Sequence, residues 1–396
     1  SVNWQNINTF KRGEFFKLST NANFEIQIGG NKSSEYRDNY RVGADVQFNI
    51  PRFVAPFIKI DPEESKVLPK TQIKLGYESF IKTGLYNLNS SSFNINYIWL
   101  KGKRIEQSFS PLSINFVKSS KLSYAFTLEV FSNPALLSVL DNQLIVGANY
   151  EFKISSRPEV LNKWNSRSRL DLAGTLFGVI NLIRNDKQSG YSIFGERLSQ
   201  YIKFEEEIVK YVRIKKDNYW VNRFFIGFGI PYGHSLKLPF VSQYYVGGNN
   251  SLRGFRARTL GPGNYETKGT IAENYLGSNY GDIKLEFNSE LRQKLSTNAG
   301  LAFFVDGGNL WLFKDKSFYE ADVLFSKYFY KQLALDAGIG LRYNLSFIIA
   351  RIDVGTPIIK PWISLNNRLE TNDFRFSNKE WRKDNIIWNF ALGMPF

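Results

Sequence analysis

The 396-residue sequence predicts an all-β protein that forms a single antiparallel transmembrane β-barrel. Aromatic residues make up 16% of the chain, although its mean hydropathy is negative and no run approaches the roughly 18 apolar residues of a membrane helix. Apolar and polar residues alternate with a period of two along most of the chain, which indicates strands with one apolar and one polar face. These segments run for about ten residues or more, the length of a tilted membrane-spanning strand.

Fourteen segments carry this alternation and are predicted strands. They lie at about 14–28, 36–50, 70–82, 91–103, 107–117, 142–154, 166–176, 200–214, 218–230, 281–292, 296–306, 332–344, 346–356 and 385–396. A closed bacterial barrel requires an even number of strands, which fourteen satisfies. The interruptions at 119–141, 177–199, 231–280 and 312–330 are predicted extracellular loops, because periplasmic turns are short, and a short helix is expected at 133–140. No linker or change in composition divides the chain, so residues 1–396 are predicted to form one domain.

Alternation alone does not separate a membrane barrel from a soluble sandwich. In 282–292, Ile283 and Phe287 share one face and Glu286 and Glu290 share the other, and a sandwich could bury the first face. The choice of a barrel depends on the uniform apolar faces and on aromatic residues near strand ends, as in interfacial girdles. The girdle candidates are Tyr97, Trp99, Trp220, Tyr245, Trp311, Trp362 and Trp388.

The rare residue types restrict the chemistry that the chain can perform. It has no Cys and a single His, His234, which excludes Cys nucleophiles and metal sites built on several His or Cys ligands. His234 lies in the loop segment 231–235, and no Gly-x-Ser-x-Gly motif presents a serine nucleophile. We therefore expect no enzymatic activity, no metal and no cofactor.

The net charge of +15 indicates an anionic partner, either nucleic acid or a membrane surface. Basic residues are dispersed among the strands and interleave with acidic ones such as Glu205, Glu206 and Glu207, which disfavours nucleic acid. Basic clusters at 213–216 and 253–258 are expected to meet anionic lipid headgroups instead. The sequence therefore predicts lipid and not nucleic acid as a partner.

The segment 244–265 carries the strongest functional signal. Its glycines permit tight or left-handed backbone, so the loop can fold back on itself. Its centre reads Leu252-Arg253-Gly254-Phe255 and follows Gly-Gly-Asn-Asn-Ser. This string resembles the signature of the BamA/TamA superfamily of outer-membrane insertion and translocation barrels. Four further segments are similar to later strands of that family and follow in its order, at 281–292, 304–311, 338–357 and 388–396.

The resemblance implies a sixteen-stranded type of barrel in which a long loop, here at about 231–280, folds into the lumen. Five predicted strands follow this loop, as in the family, but nine precede it where the family has eleven. Residues 1–13 resemble the end of the family's second strand and its turn, and the only Met is Met394, so Ser1 is not a translation start. We therefore expect that the chain lacks the family's first strand and its periplasmic POTRA modules.

For function, the resemblance implies an integral protein of the Gram-negative outer membrane. Such a barrel helps to insert or export β-barrel or other envelope proteins, so the implied partners are outer-membrane lipid, client envelope proteins and accessory assembly subunits. A two-partner-type secretion pore for a soluble passenger and a passive porin are the alternatives.

The parity of two carboxylates predicts a contact that would lock the loop inside the barrel. Glu290 lies on the polar face of 281–292 and Asp306 on that of 296–306, so both side chains should point into the lumen. A guanidinium could bind them through charge-assisted, bidentate hydrogen bonds that a lysine reproduces poorly. We therefore expect Arg253, in the motif with Gly254 and Phe255, to hold the loop through Asp306 with Glu290 alongside. The alternative is that both carboxylates simply belong to a hydrated lumen of mixed charge.

The last predicted strand carries a second functional element. Trp388, Phe390 and Phe396 share one parity and are expected to face lipid. Gly393 and Pro395 should weaken pairing near the free end, because Gly has no side chain to pack and Pro lacks a ladder donor. In the resembled family, the seam between the first and last strands opens laterally so that a client strand can add to an exposed edge. An ordinary closing strand with a terminal aromatic residue is the alternative.

Overall fold

The computed structural model describes residues 2–25, 39–54, 69–124, 126–127, 142–157, 159–175, 192–193, 196–266, 279–314, 322–345, 348–363 and 375–396. Within these ranges, one 15-stranded antiparallel sheet follows chain order, and a separate 2-stranded hairpin is formed by β9 (Ser192–Ile193) and β10 (Glu196–Arg197). The large sheet consists of β1 (Val2–Ile7), β2 (Phe15–Glu25), β3 (Asn39–Ile50), β4 (Lys70–Lys82), β5 (Tyr86–Lys101), β6 (Ile105–Ser120), β7 (Gln143–Ser155), β8 (Lys163–Ala173), β11 (Tyr201–Lys215), β12 (Asn218–Pro231), β13 (Ile283–Lys294), β14 (Ala299–Trp311), β15 (Ala334–Asn344), β16 (Ile349–Ile359) and β17 (Ile387–Leu392).

The predicted all-β, antiparallel fold is confirmed. All fourteen predicted strands are present with ends shifted by a few residues, and the fifteenth, β1, lies within the segment 1–13 that the sequence assigns to a strand end and its turn. Fifteen is the number that the sequence predicts, because a sixteen-stranded type of barrel is expected here without its first strand. Among the described residues no pairing joins β1 to β17, so the sheet is not closed.

Burial along the strands identifies the face that meets lipid. Large apolar side chains of one parity are exposed, including Phe287 at 46% and Ile339 at 55%. On the opposite face, Glu286 and Asp306 are 0% exposed. A soluble sandwich has the reverse arrangement, with its apolar face buried. The exposed apolar face is therefore the lipid-facing wall and the polar face lines the lumen, as in transmembrane barrels.

The connections differ between the two ends of the sheet. Most connections at one end are short turns, such as 102–104 between β5 and β6 and 216–217 between β11 and β12, and the exception is the longer connection 51–69 between β3 and β4. The other end has five long connections, at 121–142, 174–200, 232–282, 312–333 and 360–386. Four of these correspond to the predicted long loops, and the fifth contains the short helix α1 (Lys379–Asn385). The helix expected at 133–140 lies outside the described residues. In the described part of the chain, no helix has the length and apolar character needed to cross a membrane.

Three of the predicted girdle residues lie elsewhere. Trp311 is wholly buried, because Phe325 and Phe329 of the following connection cover its ring at centroid distances of 5.4 and 6.1 Å. Trp362 lies beyond the end of β16, and Tyr245 lies in the loop after β12. The girdle prediction was wrong for Trp311 because the following connection covers its ring, and it was wrong for Tyr245 and Trp362 because they lie outside the strands.

Candidate functional site

The connection from β12 to β13 folds back into the barrel, and its segment 243–266 is called the lumen loop below. Gly248 N donates to the carbonyl oxygen of Phe255 at 2.9 Å, which closes the centre of the loop on itself. Gly247 has a φ of +90°, and a Cβ there would lie 2.3 Å from the carbonyl oxygen of Arg256. Glycine is therefore required at this turn, both for its backbone conformation and for the close approach of the two chain segments.

Arg253 lies at the centre of the lumen loop and is 0% exposed. Its Nε donates to Asp306 Oδ2 at 2.8 Å and its Nη2 donates to Asp306 Oδ1 at 3.0 Å, while its backbone N–H donates to Asp306 Oδ2 at 3.2 Å. Its Nη1 donates to Glu290. The structure thus brings together the loop arginine and the two inward carboxylates that the sequence singles out. The bidentate contact with Asp306 attaches the loop to β14, and the single charge-assisted contact with Glu290 attaches it to β13.

The guanidinium of Arg253 is packed as well as paired. It lies 3.6 Å above the centroid of the Phe304 ring, and its Nη1 is 3.8 Å from Asp353 Oδ2. Burial by itself would lower the pKa of Arg253, but Asp306 and then Glu290 hold that pKa above its ordinary value. Arg253 is therefore a permanent cation inside the lumen.

Other lumen charges surround this contact. Glu290 accepts from Arg292 Nε at 2.7 Å and from Arg342 Nη2 at 3.3 Å, while Asp353 lies 3.3 Å from Arg351 Nε. The mixed-charge lumen of the alternative interpretation is thus present together with the Arg253 contacts. Glu290 has two other arginine partners, whereas Asp306 forms its ion pair with Arg253. Among the residues that the structure describes, no cluster of three or more His, Asp or Glu could hold a metal ion.

Gly254 and Phe255 fit the loop against the wall. A Cβ on Gly254 would lie 2.4 Å from Asp336 Cβ and 3.0 Å from the carbonyl carbon of Thr356, so the loop backbone rests directly on β15 and β16. Phe255 is 5% exposed and its ring contacts that of Trp362. It belongs to a buried apolar cluster that also contains Val246, Leu252, Leu260, Leu310 and Ala334. Apolar packing therefore accompanies the ionic contacts of Arg253.

A second polar group that holds the loop was not singled out from the sequence. Ser251 Oγ donates to Glu286, and Asn288 Nδ2 donates to the Ser251 carbonyl oxygen and to Asp306 Oδ1, both at 2.9 Å. Arg223 Nη1 donates to Glu286 Oε2 and Asn288 Oδ1, also both at 2.9 Å. The signal was available, because Glu286 and Asn288 share the inward parity of Glu290.

Arg258 attaches the lumen loop to the other half of the sheet. It is 5% exposed and has a φ of +62°, uncommon for a residue with a side chain. Its guanidinium lies 4.1 Å from the centroid of the Tyr245 ring and 5.7 Å from that of Phe80 in β4. The loop therefore contacts both β4 and the strands β13 to β16. No sequence pattern points to this role, because it depends on how the loop crosses the lumen.

The last strand, β17, contacts the lumen loop through its lumen-facing side. Asn389 Nδ2 donates to the carbonyl oxygen of Arg253 at 2.8 Å. Trp388 and Phe390 are 49% and 50% exposed on the outer face, where their parity puts them. The strand thus presents apolar side chains outward and a polar contact to the loop inward.

The C-terminal residues do not follow the predicted parity. The strand expected over 385–396 ends at Leu392, and Gly393 turns the chain with a φ of +94° before Pro395. The ring of Phe396 lies 5.4 Å from the guanidinium of Arg292 and 6.0 Å from that of Arg253, so it faces the lumen charges and not lipid. The expectation for Phe396 was wrong because side chains alternate only while the backbone stays extended.

Comparisons with known proteins agree with this architecture. A family model described as the Omp85 superfamily domain matches residues 8–378. The outer membrane protein assembly factor BamA of Neisseria meningitidis serogroup B is 30% identical over 87 residues, which are 22% of this chain and 11% of that protein.

Two solved structures share the fold at low sequence identity. BamA from Haemophilus ducreyi lacking POTRA domains 1–3 has a TM-score of 0.61 and 13% identity, and the match covers 99% of this chain and 66% of that one. CdiB from Escherichia coli has a TM-score of 0.52 and 11% identity, with coverage of 91% and 56%. The chain thus spans less than two thirds of the length of each relative.

Proposed function

The chain belongs to the Omp85 superfamily, and on that premise we propose that it is the barrel of a machine that inserts or exports β-barrel or other envelope proteins through a seam beside β17. It is an outer-membrane protein of the Gram-negative type. Its proposed partners are outer-membrane lipid, client envelope proteins and accessory assembly subunits. Its proposed work is strand pairing and loop rearrangement, without covalent chemistry or a cofactor.

The observation that carries this proposal is the attachment of one loop residue to both the barrel wall and the last strand. The Arg253 side chain binds Asp306 of β14 and Glu290 of β13, and its carbonyl oxygen accepts from Asn389 of β17. A movement of the loop must therefore change the contacts of β17. This link supports a barrel whose last strand changes its pairing during work.

The form of β17 supports the same proposal. The strand has 6 residues and pairs on one side only, with β16, within the described chain. Its outer face carries Trp388 and Phe390 at the lipid boundary. An unpaired strand edge in a membrane can be satisfied by another strand, which is the basis of β-augmentation. An incoming client strand would supply those backbone partners.

Ion conductance distinguishes the proposal from a passive porin. The buried cluster around Arg253 occupies the lumen with protein atoms, so the full-length protein in a planar bilayer should conduct weakly and intermittently. Large, steady conductance that Arg253→Ala leaves unchanged would favour a porin.

Client assembly tests the function itself. The full-length protein in proteoliposomes is supplied with a urea-denatured outer-membrane barrel, and client folding is followed by heat-modifiable gel migration. Wild-type protein should accelerate folding and Arg253→Ala should lose most of that acceleration, whereas the exposed Arg157→Ala is the matched control and should keep it. If instead a soluble passenger becomes protease-protected in the vesicles while the barrel client is ignored, the two-partner-type secretion pore is the better assignment. No acceleration by wild-type protein would contradict the insertase role.

A further inference from the structure

One backbone carbonyl at the free edge of β17 is bound by the lumen loop. The register of β16 and β17 shows which groups form that edge, because Gly393 N donates to the carbonyl oxygen of Ile349 at 2.8 Å. In an antiparallel pair, alternate residues exchange no hydrogen bonds with the residue opposite and point their N–H and C=O to the other side. Counting from this bond, Phe390 opposite Ile352 is such a residue. Its carbonyl therefore points toward the free edge of β17 and makes no hydrogen bond with β16.

The side chain of Asn249 occupies this carbonyl. Asn249 Nδ2 donates to the Phe390 carbonyl oxygen at 3.0 Å. Arg351 of β16 holds this part of the loop, since its Nη2 donates to the carbonyl oxygen of Asn249 at 2.9 Å and to Asn250 Oδ1 at 2.8 Å. The amide of Asn249 thus stands where the backbone N–H of an added strand would donate.

We propose that Asn249 caps the free edge of β17 and competes with an incoming strand for the Phe390 carbonyl. The inference rests on the proposed function and adds a regulatory residue to it. While the lumen loop is docked, the edge is protected at this position; when the loop moves, the carbonyl becomes available. The partner is an extended polypeptide recognised through its backbone N–H groups, because the side chain of Phe390 points outward and takes no part in this contact.

Two substitutions at Asn249 separate the donor from the bulk of the side chain. Asn249→Ala removes the whole amide, whereas Asn249→Asp keeps its shape and removes the donor. Asn250→Ala is the control for loosening of the loop, because it removes the contact of Asn250 Oδ1 with Arg351 and leaves the Asn249 amide in place. A single net hydrogen bond is worth about 1 kcal/mol, so both Asn249 variants should bind an added strand about fivefold more tightly than wild type.

The probe is a fluorescent ten-residue peptide with the sequence of residues 387–396, and its binding to the full-length protein in nanodiscs is measured by anisotropy. The same peptide with alternate backbone amides N-methylated cannot pair as a strand and reports non-specific apolar binding. Heat-modifiable migration verifies that each variant is folded. We expect Asn249→Ala and Asn249→Asp to bind the unmethylated peptide about fivefold more tightly than wild type, and Asn250→Ala to strengthen its binding less, because that variant keeps the Asn249 amide.

The outcomes distinguish the capping role of Asn249 from strand addition at the edge of β17. If the unmethylated peptide binds better than its methylated form but both Asn249 variants match wild type, the capping role is overturned and strand addition stands. The capping role is also overturned if Asn250→Ala strengthens binding as much as Asn249→Ala, because general loosening of the loop would then explain the effect. If no variant distinguishes the two peptides, both the capping role and strand addition at this edge are overturned.

Discussion

Removal of the Arg253 side chain should leave the buried negative charge of Asp306 less compensated than that of Glu290. In Arg253→Ala, Asp306 keeps the Asn288 amide at 2.9 Å and a backbone N–H at 3.2 Å, but it loses both guanidinium hydrogen bonds. Glu290 keeps two other arginines at 2.7 and 3.3 Å. Because breaking a buried ion pair leaves an uncompensated charge, we expect the free energy of unfolding to fall by about 3–5 kcal/mol.

Double-mutant cycles measure this asymmetry. Two charge-assisted hydrogen bonds of about 1.5–3 kcal/mol each link Arg253 to Asp306, so their coupling energy should be about 2–3 kcal/mol after partial compensation. The coupling between Arg253 and Glu290 should be about 1 kcal/mol, because Glu290 is shared among arginines. Urea unfolding of the barrel in lipid vesicles, followed by the fluorescence of its 8 Trp residues, gives the four free energies of each cycle. A Glu290 coupling as large as the Asp306 coupling would refute this reasoning.

Three further substitutions test the docking of the lumen loop and the chain end. Gly254→Ala should displace the loop, because the new Cβ would lie 2.4 Å from the nearest side-chain atom, whereas Gly307→Ala, with its nearest atom at 3.3 Å, should leave the loop docked. Proteolysis mapped by mass spectrometry compares the two variants, and equal protection of the loop would contradict the tight fit. Arg258→Ala should lower the free energy of unfolding by about 1–2 kcal/mol through loss of a buried cation–π contact, and Arg258→Lys should lower it less. Identical urea midpoints for wild type and both variants would argue against Arg258 as an anchor of the loop. Phe396→Ala should cost about 1 kcal/mol in the same titration, more than the exposed Met394→Ala, and the reverse order would place the terminal ring outside the lumen.

The strands and the inward direction of the key carboxylates could be predicted because both depend on a local property. An extended backbone directs successive side chains to opposite faces, so parity along 281–292 and 296–306 was enough to point Glu290 and Asp306 inward. The same rule failed at Phe396, because the strand stops at Leu392 and Gly393 redirects the chain. The rule therefore holds only as far as the backbone geometry that causes it.

Parity does not determine which inward groups meet. Ser251, Asn288 and Arg223 share the lumen with Arg253, but their contacts depend on how far the loop descends and where it turns. Arg258 shows the limit most clearly, since nothing near it in sequence indicates that its guanidinium should reach the ring of Phe80.

The sequence by itself determined an all-β membrane barrel, a glycine-rich loop that carries Arg253, and two carboxylates on the lumen face. These follow from period-two alternation and residue chemistry, which act over a few neighbouring residues. Only the tertiary structure decided that Arg253 is bidentate with Asp306 and that Asn249 reaches a carbonyl of a strand 141 residues away. The physical reason is that alternation fixes the side on which a residue lies, while distances across the lumen are set by the path of the loop and by the register of the strands around it.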